Sequence, residues 1–174
     1  MYFSSYTSPI GHLLLVASDR GLSQLSFDYD CVRLKSAQQK TEWTASDDAL
    51  AESRRQLDDY FQGSLREFTI ALDLKGTDFQ LRCWRALLEI PYGETRSYAD
   101  QARKIGSPRG FRAVGMANHD NPIAIIVPCH RVITSDRKLG GYGGGLDVKE
   151  KLLRLEGARW REPHPVLAFR SSVR

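Results

Sequence analysis

Strand-prone runs open the chain. Tyr2 to Tyr6 and Leu13 to Ala17 are separated by Ser8-Pro9-Ile10-Gly11, a turn signal, and Gly21 precedes a third short run, Leu22 to Phe27. The pattern predicts an antiparallel meander. A polar stretch, Lys35 to Asp48, reads as a connection. Ala49, Leu50, Ser53, Leu57, Tyr60 and Phe61 then recur at helical spacing, with Gly63 as the stop. Phe68 to Leu74 alternates apolar and polar residues and predicts one more strand.

The second half turns helical. Thr77-Asp78-Phe79-Gln80 is a capping box, and Phe79, Cys83, Trp84, Leu87 and Leu88 form the apolar stripe of the helix it opens. Pro91-Tyr92-Gly93 ends that helix. Ser97 caps a second helix to about Lys104, and Gly106 breaks it. Ser107 then caps a third, with Pro108 at the first helical position, running to about Asn118. The last two fit a helix-turn-helix. Gly110, Ala113 and Ala117 are expected on one face of the third helix, with Arg109 and Arg112 nearby. That surface suits a nucleic-acid groove, and equally a tight helix packing beside solvated arginines. Ile123 to Val127 reads as an apolar strand. Asp147 is expected to cap a last helix, with Glu150 three residues on, and Leu152, Leu153 and Leu155 inward.

The fold class that follows is α+β: a small N-terminal α/β domain with an antiparallel sheet over 1–75, then a mostly helical C-terminal domain with a helix-turn-helix over 76–160 and a tail over 161–174. No repeat or low-complexity segment appears. At 174 residues the chain needs no disulfide or metal staple to hold a core. The charge sum is +4 and the pI about 9.0, which permits a polyanion partner without demanding one. Hydrophobic content of 41% and mean hydropathy of −0.40 argue against disorder and against an integral membrane protein. No signal peptide or membrane span is expected, and a cytoplasmic location is.

Cys31, Cys83 and Cys129 are an odd number, widely spaced and without any CxxC, so neither a disulfide framework nor a metal site is expected. Cys31 reads as inert, and Cys83 lies on an apolar stripe. Cys129 differs: it stands beside His130 in Pro128-Cys129-His130-Arg131-Val132, where a thiol can be a nucleophile with a local base. A buried cysteine next to a satisfied histidine has the same local sequence, so the pair alone leaves both readings open. The glycine cluster from Gly140 to Gly145, interrupted by Tyr142, lacks the Lys-Ser/Thr ending of a phosphate loop. Its glycines would let backbone amides line a pocket wall. Glu156 sits where a helix dipole disfavours a carboxylate, which hints at a partner elsewhere, with an exposed side chain as the default.

Taken together, Phe79-Gln80, Trp84, Ile90-Pro91-Tyr92-Gly93, Ser97-Tyr98, Arg112-Ala113-Val114-Gly115, Asn121-Pro122, the PCHRV pentapeptide at 128–132 and Gly141-Tyr142 resemble the O6-alkylguanine-DNA alkyltransferase family. The resemblance is close over residues 77 to 157 and loose before them. It implies that Cys129 accepts an alkyl group, that His130 acts through water as its base, and that Glu156 orients His130. It gives Asn121 the task of bracing the turn and Tyr98 that of hydrogen-bonding an extruded guanine. Arg112 would fill the gap left in the duplex, and Arg109, Ser97, Ala113 and Gly115 would face DNA. The carbonyls of Cys129 and Val132 would accept from guanine's amine, with Tyr142 and Gly143 lining the pocket. Ala124 and Gly143 depart from residues some members carry, proline and serine, and both changes would widen the pocket.

The implied activity is direct-reversal repair: one irreversible transfer of a methyl or larger alkyl group from O6-alkylguanine, and from O4-alkylthymine, after base flipping. The implied partner is double-stranded DNA met from the minor groove by a monomer, with no cofactor, metal or membrane. A sensor of alkylated DNA that lacks transfer is the alternative, but such a protein replaces the acceptor cysteine. A cysteine hydrolase using Cys129 and His130 would leave the helix-turn-helix and Arg112 unexplained.

Overall fold

In a computed structural model, which describes residues 1–27 and 43–162, the N-terminal runs form the expected meander. β1 (Tyr2–Ser8) pairs antiparallel with β2 (Gly11–Ser18), and β2 with β3 (Gly21–Phe27). Gly11, at φ +118°, closes the first turn, where the Ser8 hydroxyl donates to its carbonyl at 2.6 Å. β2 is buried along Leu13–Ala17 because both faces of this central strand are covered. A two-residue strand, β4 (Thr44–Ala45), adds in parallel beyond β1, giving the order β3-β2-β1-β4; it has no signal in the sequence. Cys31, most of the 35–48 stretch and the tail beyond residue 162 lie outside the described residues.

The outer edge of β3 fixes how the rest of the chain docks. Leu22 bonds to the backbone of Ala71 and Asp73, and Leu25 bonds to Pro122 and Ala124, at 2.8–2.9 Å. These are isolated parallel bridges, to Leu72 and to Ile123, and neither Phe68–Leu74 nor Ile123–Val127 is the strand its sequence predicts. In the first segment, the Asp73 carboxylate accepts from the Ser18 hydroxyl (2.7 Å) and from Arg20 (2.6 Å) beside the single bridge. In the second, Ile125 takes φ +71° and folds the chain into turns directly after the bridge. Two short segments thereby cover an edge that would otherwise expose unpaired amides.

α1 (Ala51–Phe61) packs Leu57 and Tyr60 under the sheet and stops near Gly63, at φ +77°. α2 (Asp78–Leu88) opens on the Thr77–Gln80 capping box, with both reciprocal bonds formed. Its stripe buries Cys83, Trp84 and Leu87, and the Trp84 indole donates to the Ala117 carbonyl at 2.7 Å. Leu88, expected on the stripe, is exposed, because the helix ends there and turns away. α3 (Tyr98–Lys104) is capped by Ser97 with Asp100 at its third position. α4 (Phe111–His119) starts later than Ser107-Pro108 suggests. Residues 107–110 instead form a turn closed by the Gly110 amide on the Ser107 carbonyl at 2.7 Å. Gly110 therefore precedes the helix, and of the two alanines expected beside it Ala113 is exposed and Ala117 buried. α5 (Leu146–Leu155) starts after Gly145, and Asp147 is in its first turn rather than at its cap. Leu152 and Leu153 are buried and Leu155 partly so. β5 (Arg96–Ser97) and β6 (Val132–Ile133) form a parallel pair between the halves of this region.

The buried side chains make one core that crosses from the N-terminal sheet to the helices, including Leu15, Leu25 and Tyr60 on one side and Trp84, Ile123 and Leu152 on the other. Among the helix starts, Thr77 gives a clean test of local stability. Thr77→Ala is expected to lower unfolding free energy by about 1 kcal/mol. A shift in the denaturant midpoint with an unchanged slope would show it.

Candidate active site

Cys129 opens a single 3₁₀ turn, Cys129–Arg131, that follows the buried turns after Ile123. Three features shape this approach. The bridge to Leu25 anchors Ile123, the αL conformation of Ile125 reverses the chain, and Pro128 delivers the thiol at the turn's first position. Asn121 locks the result. Its carboxamide oxygen accepts from the Ile123 amide (3.1 Å), and its nitrogen donates to the Val127 carbonyl (2.8 Å) and to the Cys129 Sγ (3.3 Å).

His130 points the other way, into the core, and is fully buried. Its Nε2 lies 2.8 Å from Glu156 Oε1, while its Nδ1 has no protein partner. Beside a carboxylate, Nε2 carries the proton and Nδ1 is left as an acceptor. Glu156, far from the exposed default, is 5% exposed. Arg131 forks onto both its oxygens at 2.9 Å, the Tyr60 hydroxyl donates to Oε1 at 2.8 Å, and the Gly93 amide donates to Oε2 at 3.3 Å. Gly93 is obligatory here: at φ +78°, a β-carbon would lie 2.8 Å from the Glu156 carbonyl oxygen. Arg131 also donates to the Ile90 carbonyl at 2.6 Å, so the turn after α2 and the 3₁₀ turn of Cys129 are held by one guanidinium.

The electrostatics follow. Burial opposes ionisation of Glu156, but the bonds from His130 and Arg131 outweigh it and hold the carboxyl down at about 2. Burial lowers the pKa of His130, and Glu156 pulls it back up. Burial pushes the Cys129 thiol up, while the Asn121 donor and the Lys149 charge draw it down. Lys149 is fully buried on α5; its Nζ donates to the carbonyls of Val132 (2.6 Å) and Gly141 (3.2 Å), and burial lowers its pKa to about 8.

The glycine segment forms the opposite wall through close side-chain approach. A β-carbon at Gly144 would meet the Phe27 ring at 2.7 Å, and one at Gly140 would meet the Tyr98 ring at 3.2 Å. Phe27 packs edge-on against Tyr142. Tyr98, Tyr142, Gly143 and Gly115 line a pocket of about 100 Å³ with Cys129. A wider cleft of about 640 Å³, bordered by β3, Ala124 and Gly143, also reaches the thiol. The Tyr98 hydroxyl is 3.5 Å from the Gly141 carbonyl. The Val132 carbonyl accepts from Lys149 Nζ at 2.6 Å. Arg109, Arg112 and Ala113 are exposed on α4 and the turn before it, and the Arg112 guanidinium lies 5.8 Å from the Phe111 ring centre. Ser97 spends its hydroxyl on the α3 cap.

The structure therefore gathers Cys129, His130, Glu156, Asn121, Tyr98, Tyr142, Gly143 and Val132, and leaves the arginines on the adjoining surface. Three further residues belong to the site. Arg131 sits inside the pentapeptide without a sign of its role. Lys149 interrupts the buried face of α5, four residues before Leu153, which is a signal sequence reading can use. Tyr60 is 96 residues from Glu156 and has none.

Two family models divide the chain. One, described as 6-O-methylguanine DNA methyltransferase, ribonuclease-like domain, matches residues 1–74, and the other, the DNA binding domain of the same enzyme, matches residues 78–158. A methylated-DNA–protein-cysteine methyltransferase of Methanosarcina barkeri is 51% identical over 156 residues, covering 90% of this chain and 97% of the relative. One from Mycobacterium tuberculosis is 49% identical over 159 residues, covering 91% and 94%. The crystal structure of Mycobacterium tuberculosis OGT in complex with DNA superposes with a TM-score of 0.83 at 50% identity, covering 90% of this chain and 93% of that one. At 20% identity, the O6-methylguanine-DNA methyltransferase of Pyrococcus kodakaraensis shares the fold, with a TM-score of 0.55.

Glu156→Gln tests the buried network. It leaves Arg131 without its counter-charge, a loss of about 3–5 kcal/mol by chemical denaturation near neutral pH. The sign with pH is fixed. A carboxyl at about 2 folded and 4.5 otherwise stabilises fully above 4.5 and loses that share as the pH falls toward 2. Wild-type acid unfolding should thus contain a component that the glutamine variant lacks.

Proposed function

The chain belongs to the 6-O-methylguanine DNA methyltransferase family, and from that premise we propose how its residues divide the work of the reaction. The protein is a methylated-DNA–[protein]-cysteine S-methyltransferase that repairs alkylated DNA by direct reversal. The observation that carries the division of labour is the buried line from Glu156 to His130, whose unbonded Nδ1 belongs to the residue next to the Cys129 thiol.

In our reading, Cys129 is the acceptor. Alkyl transfer from an aryl-ether-like oxygen needs a thiolate. His130 takes the thiol proton through a bridging water at Nδ1, and Glu156 stabilises the resulting imidazolium. The thiolate attacks the alkyl carbon, the C–S bond forms, and the C–O6 bond breaks with its electron pair going to guanine. The Tyr98 hydroxyl stabilises that charge and its neutralisation by a proton. A thioether has no return path, so each molecule reacts once. Lys149, beside the thiol, favours the thiolate and ties the pocket loop at Gly141 to β6. The absence of bulk at Ala124 and Gly143 leaves room for alkyl groups larger than methyl and for O4-alkylthymine.

The target atom is hidden in a stacked duplex, so the base is flipped into the pocket. We assign α4 to the minor groove, where Arg112 fills the vacated space and Arg109 meets phosphate, with Ser97, Ala113 and Gly115 along the same surface. Monomeric action and a cytoplasmic location complete the reading. Among the described residues no helix is long and apolar enough to cross a membrane.

Reaction with an O6-methylguanine duplex should add one methyl to the peptide holding Cys129, and Cys129→Ser should abolish transfer while DNA binding persists. Mass spectrometry placing the methyl on Cys31 or Cys83 would overturn the assignment. Arg112→Ala should slow single-turnover repair of duplex far more than of single strand, because flipping costs least where the base is unpaired. Arg109→Ala should weaken binding to both substrates and flatten the salt dependence. Equal slowing on both substrates for Arg112→Ala would reduce its role to phosphate binding.

A further inference from the structure

We propose that the hydroxyl of Tyr60, on α1 of the N-terminal half, is a positioning group of the transfer reaction, tempering the pull of the Glu156 carboxylate on His130. The inference rests on Cys129 as acceptor and on the His130 relay described above.

The geometry is specific. Tyr60 is fully buried, and its hydroxyl donates to Glu156 Oε1 at 2.8 Å. That is the same oxygen that faces His130 Nε2 and that accepts from Arg131 Nη2. A carboxylate oxygen offers about two lone pairs. Three donors on Oε1 therefore compete, and each weakens the others' share of its charge. Arg131 already orients the carboxylate by a two-point fork, so orientation does not require the tyrosine. What Tyr60 changes is the density of negative charge presented to His130.

The ring has its own packing duties, which separate from the hydroxyl. It stacks edge-on with Phe61 and Tyr92 and tilts against Phe68. Phenylalanine preserves all of these contacts. The titratable and charged groups around Glu156 are Tyr60 from α1, Tyr92 from the turn after α2, His130 and Arg131 from the 3₁₀ turn, and Tyr142 from the glycine segment. Lys149 of α5 acts on His130 and Cys129. Among the described residues, only Tyr60 joins the carboxylate by a hydrogen bond from the N-terminal half. The N-terminal half thus has a chemical share in a reaction whose other groups lie after residue 90.

The test measures Cys129 alkylation by iodoacetamide against pH, read on the Cys129 peptide, alongside single-turnover transfer from an O6-methylguanine duplex. Tyr60→Phe frees a lone pair for His130, strengthens the imidazolium and lets the thiolate form at lower pH. The midpoint should fall by about half a unit, roughly a threefold change in the equilibrium, while duplex affinity stays unchanged. A purely structural tyrosine would alter the melting temperature and leave the midpoint in place. A folded Tyr60→Phe protein with an unmoved or raised midpoint overturns the proposal. Should that variant not fold, 3-fluorotyrosine at position 60 decides: its hydroxyl is a stronger donor, so the midpoint must rise, and an unmoved or lowered midpoint overturns it. Wild-type protein that takes no methyl on Cys129 would instead remove the acceptor assignment itself.

Discussion

The buried carboxylate of Glu156 is the constraint on which the rest of the molecule depends. A lone charge in a protein interior is costly, and it persists only when paired and fully hydrogen-bonded. Here the pairing draws on α1, the turn after α2 and the nucleophile's 3₁₀ turn together. The donors come from three separate pieces of chain, so satisfying one side chain fixes their relative positions. In the division of labour proposed above, the same carboxylate serves the chemistry through the histidine it holds, the neighbour of Cys129, so that stability and reactivity are two uses of one charge.

The second coupling runs through β3. By lending its outer edge to residues 71–73 and 122–124, the strand places the segment that leads to the thiol. Asn121 then spends every polar atom of its side chain on that segment, two bonds to backbone and one to sulfur. The nucleophile is thus carried by a short irregular stretch whose conformation is set from both ends. An αL isoleucine survives in such a place only because its surroundings over-determine it.

Lys149 closes the pocket from the opposite side. Its ammonium bonds two carbonyls, one in β6 and one in the glycine segment. At two of the glycines rings come too close for side chains, with Phe27 against Gly144 and Tyr98 against Gly140. Gly141 and Gly143 have open space beside them and border the pocket, as expected of this segment.

The sequence by itself determined the meander, the capping boxes at Thr77 and Ser97, the helices and, through its motifs, the family. These are local matters: turn residues, periodicity and caps act over a few positions. It misjudged Phe68–Leu74 and Ile123–Val127, whose apolar patterns fit strands, because pairing partners and a positive φ are not written in local periodicity. The start of α4 and the cap of α5 moved for the same kind of reason, a competing turn at Ser107–Gly110 and a helix beginning two residues earlier. Only the tertiary structure decided the environment of Glu156. A terminal glutamate reads as exposed, and its partners Tyr60, Gly93 and Arg131 lie 96, 63 and 25 residues away. Burial and charge compensation are properties of three-dimensional neighbours, and a chain read in order does not contain them.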